Sequence, residues 1–132
     1  MTTRQLRALV VEDEALLAAS LSDQLKRLGL MVAGVAGNRA EALQLLGQED
    51  SFDIAFIDLY LGRESHGLEL ARQATSQGVA VVLVTGQLST AISDTLATLR
   101  SAALLTKPFS IDQLRSVLNA VQKSMPQQPA RP

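Results

Sequence analysis

The run Val79-Ala80-Val81-Val82-Leu83-Val84 constrains the fold of this chain more than any other feature. It is apolar without alternation, so both faces of the strand it implies must be buried, as in parallel sheets covered by helices on two sides. Parallel strands need crossover connections, and the sequence supplies them. Leu9-Val10-Val11, Met31 to Ala36, Phe52 to Asp58 and Ala103-Leu104-Leu105 are the other strand-like runs. Between the first two, Leu17, Leu21, Leu25 and Leu28 keep helical spacing up to Gly29. Gly37-Asn38 offers a turn and an N-cap for a short helix ending near Gly47. A third helix is predicted from about Leu68 to Gln77, stopped by Gly78, and a fourth on Leu88, Ile92, Leu96 and Leu99. The last begins with a capping box, Ser110 and Gln113, and carries Ile111, Leu114, Leu118 and Val121 on one face. Five strands alternating with five helices predict an α/β fold built on a doubly wound parallel sheet.

No internal repeat and no second domain is visible, so residues 1–125 are read as one domain. Pro126-Gln127-Gln128-Pro129-Ala130-Arg131-Pro132 cannot continue a helix and reads as a flexible tail over 126–132. Apolar residues make up 47% and charged residues 19%, enough core for a globular unit of 132 residues. The formal charge of −1 gives no electrostatic case for nucleic acid or for an anionic membrane surface. Without cysteine, disulfides and thiolate metal sites are excluded, and a reducing compartment fits. The first residues lack the pattern of a signal peptide, and no apolar run approaches the roughly 20 residues of a membrane-spanning helix. A cytoplasmic location is the expectation.

In a doubly wound sheet, chemistry gathers beyond the carboxyl ends of the strands. Those ends are Glu12 and Asp13 after the first strand, Asp58 after the third, Thr85 after the fourth and Lys107 after the fifth. Taken singly, each has an ordinary reading. Asp58 would be a strand-end turn residue, Glu12-Asp13-Glu14 the acidic start of a helix, Thr85 a turn and Lys107 a solvated loop lysine. Taken together they suit a hard divalent cation and a phosphoryl group. Mg2+ prefers a few carboxylate oxygens and accepts a phosphate oxygen as a further ligand. Crowded carboxylates repel, and a divalent ion with Lys107 would relieve them. An aspartate can hold a phosphoryl group covalently, and Thr85 could donate to one of its oxygens. His66, the lone histidine, reads as a solvated loop residue.

Val10-Val11-Glu12-Asp13-Glu14, the strand-ending Asp58, Val84-Thr85-Gly86 and Thr106-Lys107-Pro108-Phe109 together resemble the response-regulator receiver family over about residues 6–123. The resemblance implies a flavodoxin-like (βα)5 fold with strand order 2-1-3-4-5. It implies that Asp58 is the phosphoacceptor and a metal ligand, with Glu12 and Asp13 as the acidic pair. Asp13 would be the direct ligand, and the backbone carbonyl of Tyr60 would complete the Mg2+ site. Thr85 would be the switch hydroxyl, Lys107 the contact to the phosphoryl group, and the peptide before Pro108 cis. Tyr60 and Gln87 occupy positions where the family tunes phosphoryl lifetime. Leu104 replaces the usual aromatic, Gly62 stands where many members have proline, Gly86 where alanine is common, and Glu12 where Asp is usual. The missing aromatic and the Thr85-Gly86 pair resemble a receiver subgroup from phosphorelays with atypical sensor kinases.

The implied function is a two-component or phosphorelay switch, not an enzyme beyond its own phosphorylation and dephosphorylation. Its implied phosphodonor is a histidine kinase or phosphotransfer protein, and its output an undetermined protein partner, from a monomer or weak dimer. The readout face would be the fourth helix, fifth strand and fifth helix. Two forms are open: a free-standing relay, or a module of a longer regulator or hybrid kinase. A receiver that is never phosphorylated and serves only interaction is a third reading. A haloacid-dehalogenase-type hydrolase wants a second Asp two residues after the nucleophile, where Tyr60 stands. A flavin or nucleotide module wants a Gly-rich loop after the first strand, where acids stand.

Overall fold

The computed structural model describes residues 5–48, 52–61, 66–86 and 103–125. Five strands, β1 (Arg7–Val11), β2 (Met31–Ala36), β3 (Ile54–Asp58), β4 (Ala80–Thr85) and β5 (Ala103–Thr106), form one parallel sheet in the order β2-β1-β3-β4-β5. The described helices are α1 (Ala15–Arg27), α2 (Arg39–Leu46), α3 (His66–Ser76) and α4 (Ile111–Ser124). The expected helix on Leu88, Ile92, Leu96 and Leu99, the loop with Gly62, and the 126–132 segment lie outside the described residues.

Because side chains alternate along a strand, the continuous apolar runs feed two cores at once. Leu9, Val11, Ala55, Ile57, Val81 and Leu83 pack with Ala42 and Leu46 of α2 and Leu70, Ala71 and Ala74 of α3. Ala8, Val10, Ile54, Phe56, Val82 and Val84 pack with Ala18, Leu21 and Leu25 of α1 and Leu114, Leu118 and Val121 of α4. The sheet is thus covered on both faces, as the run at 79–84 requires.

The leucine spacing of the first helix holds at Leu21, Leu25 and the half-buried Leu28 and fails only at its first member. The sheet side of α1 is Ala18, Leu21, Ser22 and Leu25, while Leu17 is 40% exposed. Small side chains at 18 and 22 let the helix lie close on β1 and β2, which turns Leu17 off the core. His66 opens α3 rather than standing in a loop, so that helix begins two residues earlier than its apolar pattern suggests.

Asn38 caps α2 by accepting from the Glu41 N–H at 2.9 Å, and Ser110 and Gln113 form the reciprocal capping box of α4. Both α1 and α3 end in glycine. Gly29 (φ +93°) and Gly78 (φ +82°) adopt the left-handed conformation, with Leu30 N–H donating to Leu25 O and Val79 N–H to Ala74 O. A Cβ at either glycine would meet nothing within 4 Å, so only backbone strain opposes a side chain there. Gly78→Ala is expected to cost about 1–2 kcal/mol in urea denaturation, with an unchanged denaturant slope.

Candidate functional site

Strand order sets the site. β1, β3, β4 and β5 are neighbours, so the residues at their carboxyl ends share one edge of the sheet. Single backbone hydrogen bonds carry the ladder past the strands and fix these residues: Glu12 N–H to Ala36 O (3.0 Å), Leu59 N–H to Val84 O (2.9 Å) and Lys107 N–H to Thr85 O (2.8 Å). Asp58 pairs in register with Val84, and Thr85 with Thr106, which puts Thr85 between Asp58 and Lys107.

The side chains converge. Lys107 Nζ donates to Glu12 Oε1 at 2.8 Å and to Asp58 Oδ2 at 3.0 Å. Tyr60 N–H donates to Asp58 Oδ1 at 3.0 Å, so the chain after β3 folds straight back on the carboxylate that ends it. Glu12, Asp58 and Thr85 are buried, whereas Asp13 and the Tyr60 residue are exposed. Carboxylate oxygens of Glu12, Asp13 and Asp58 all lie within 4.8 Å of one another. The Lys107–Pro108 peptide is cis.

Electrostatically the cluster is short of positive charge. Burial, reinforced by the neighbouring Asp58, pushes the Glu12 carboxyl up to about 7, against the pull of Lys107 and of the Glu14 N–H. Burial alone would lower the Lys107 ammonium, but its contacts with Glu12 and Asp58 win and raise it. Three clustered oxygen donors with one ammonium fit a hard divalent cation, which needs few carboxylates and adds the missing charge. Lys107→Met should therefore destabilise the metal-free protein by about 2 kcal/mol. That is less than the ~3–5 kcal/mol of a fully buried pair, because Lys107 keeps 25% of its side chain exposed. Urea denaturation with and without Mg2+ checks this, and Mg2+ should recover part of the loss.

Glu12, Asp13, Asp58, Tyr60, Thr85 and Lys107 all lie at this edge, Lys107 holds Glu12 as well as Asp58, and Gln87 lies outside the described residues. Sequence reasoning missed Gly67. The N–H of this buried glycine donates to Leu59 O at 3.2 Å, and a Cβ there would stand 2.3 Å from Asp58 O. The available signal was a glycine in the first turn of a helix, where it costs stability without a reason to be there. It also missed a cavity of about 410 Å³ beside the site, lined by Leu17, Gln24, Val84, Lys107 and Phe109 among others.

The family model of the response regulator receiver domain matches residues 8–119. The chain belongs to that family. The transcriptional regulatory protein PdtaR of Mycobacterium tuberculosis is 32% identical over 111 residues, covering 82% of this receiver domain's chain and 52% of its own. The chain therefore spans about half the length of these first curated relatives. The response regulator receiver protein CpdR of Brucella abortus is 31% identical over 121 residues, 90% of this chain and 96% of its own. Among solved structures, the chemotaxis protein CheY4 of Vibrio cholerae superposes with a TM-score of 0.78 at 22% identity. That match covers 89% of this chain and 99% of CheY4 and bears on the fold alone. Among the described residues, no helix is long and apolar enough to cross a membrane.

Proposed function

We propose that Asp58 accepts a phosphoryl group from a phosphohistidine, carried by a histidine kinase or a phosphotransfer protein. Glu12, Asp13, Asp58 and the Tyr60 carbonyl would share a Mg2+ ion, with Lys107 and Thr85 contacting the transferred group. The observation that carries this reading is the Lys107 ammonium held between Glu12 and Asp58, at 2.8 Å and 3.0 Å, within a cluster of three carboxylates.

The step is a displacement at phosphorus. A carboxylate oxygen of Asp58 forms the new bond, the P–N bond of the phosphohistidine breaks, and its electron pair leaves with the imidazole. An acyl phosphate remains on Asp58. Bound Mg2+ supplies charge neutralisation for the phosphoryl and carboxylate oxygens. Lys107 already holds Asp58 and can follow a phosphoryl oxygen without a large rearrangement. Thr85, one register position beyond Asp58 on the adjacent strand, would donate to a phosphoryl oxygen once the group is present. The added charge biases a surface rather than running metabolism, and β5 and α4, which lie on either side of Lys107 in the chain, would read it. Leu104 packs against the α2–α3 core, so the readout runs without a rotating aromatic at that position.

The test is intact mass after incubation with acetyl phosphate, with and without Mg2+. One phosphoryl adduct that requires Mg2+ is expected. A folded, Mg2+-binding sample that takes no phosphoryl group from acetyl phosphate or from a phosphorylated donor protein would leave an interaction module in its place.

A further inference from the structure

We infer that the Arg39–Glu69 ion pair is a positioning brace for the phosphorylation site, setting the spacing of the strand ends that carry its carboxylates. The inference rests on the reading of Asp58 as a Mg2+-dependent phosphoacceptor. Arg39 Nε donates to Glu69 Oε2 at 3.0 Å, and its Nη2 donates to Oε1, so the guanidinium meets the carboxylate as a two-pronged fork. The two side chains keep 42% and 56% of their surface exposed, and an exposed pair adds little to global stability. What a fork adds beyond energy is a fixed relative geometry of the two groups it joins.

Both ends of the fork lead to the site. Arg39 opens α2, three residues after Ala36, whose carbonyl accepts from the Glu12 N–H at 3.0 Å. The turn between them is held by Gly37 N–H donating to Glu41 Oε1 at 2.8 Å and by Asn38 accepting from Glu41 N–H. Glu69 stands in the first turn of α3, two residues after Gly67, whose N–H donates to Leu59 O and whose backbone lies against Asp58 O. One end of the fork is therefore tied to the backbone of Glu12 and the other to the backbone of Asp58. β1 lies between β2 and β3, so the fork joins the elements that follow the strands on either side of the one leading to Glu12 and Asp13.

Two further observations favour a role beyond the surface. A cation at the first position of a helix opposes the macrodipole, so Arg39 holds its place against a local cost. The carboxylates of Glu12, Asp13 and Asp58, within 4.8 Å of one another, repel and load the strand ends that carry them. Lys107 draws Glu12 and Asp58 together through their side chains. The fork restrains the same two backbones from the α2–α3 side, so Mg2+ meets ligands that are already spaced.

Mg2+ titration followed by backbone amide NMR shifts tests this on the full chain with Arg39→Gln, Glu69→Gln and the double variant. Each single variant should bind Mg2+ about threefold more weakly, within the limit that an exposed pair sets on any coupling. The double variant should bind no more weakly than either single one. A plain field effect would instead make Arg39→Gln bind Mg2+ more tightly and Glu69→Gln less tightly. At saturating Mg2+ the rate of adduct formation from acetyl phosphate should equal that of the wild type. In the metal-free variants, amide exchange should quicken at Gly67 and Tyr60. It should stay unchanged at Val79, whose N–H donates to Ala74 O at the far end of α3. Single variants that bind Mg2+ like the wild type, that shift in opposite directions, or that exchange faster throughout would overturn the brace while leaving Asp58 as phosphoacceptor. A wild type that binds no Mg2+ and forms no adduct would overturn that reading, and the brace with it.

Discussion

Asp58→Asn is expected to abolish the Mg2+-dependent phosphoryl adduct altogether while leaving the protein folded. The loss follows from chemistry, since an amide oxygen is a poor nucleophile and the product anhydride cannot form on it. The retained fold follows from two opposed local effects. Asp58 accepts from Tyr60 N–H on one oxygen and from Lys107 on the other. Asparagine has one acceptor oxygen, so one donor loses its partner, at a cost of about 1–2 kcal/mol. Against that, a negative charge leaves a crowded cluster in which Asp58 raises the Glu12 carboxyl. The net change in stability should be within about 1 kcal/mol, read by urea denaturation alongside the mass measurement. An adduct of wild-type yield in Asp58→Asn would move the phosphoacceptor to another residue and remove the central claim.

Much of this site could be read from the chain because its residues follow strand ends. A run such as Val79 to Val84 fixes a buried parallel strand, and the carboxyl end of such a strand is where ligands meet the sheet. Glu12, Asp58, Thr85 and Lys107 were therefore placed once the strands were. What escaped depends on close packing. The buried side of α1 could not be read from leucines alone, because Ala18 and Ser22 face the sheet and carry little hydropathy signal. Nor does sequence order reveal that the Lys107 ammonium reaches across to Glu12, 95 residues away in the chain. Gly67 stands just before the helix expected from Leu68, and nothing in the order of residues says which backbone it touches.

Gly67→Ala should therefore be among the most damaging single-methyl changes available in this chain. The added carbon would lie 2.3 Å from Asp58 O, 2.6 Å from Leu59 Cα and 2.8 Å from Leu59 O. All three are backbone atoms, so no rotamer change relieves the overlap. Either α3 must lift away or the turn after β3 must move, and that turn carries the Tyr60 N–H that holds Asp58. Overpacking of this kind costs about 2–4 kcal/mol, at or above the usual range because backbone rather than side chain must shift. Mg2+ affinity and the rate of adduct formation should fall with it. Gly86→Ala supplies the contrast at the next strand end. A Cβ there meets nothing within 4 Å, and its backbone is not in the left-handed region. The same methyl group should be neutral or stabilising by about 0.5 kcal/mol at 86, through a less flexible unfolded chain. Equal stability losses at 67 and 86 would mean that loop flexibility, rather than contact with the Asp58 backbone, sets the requirement for glycine around the site.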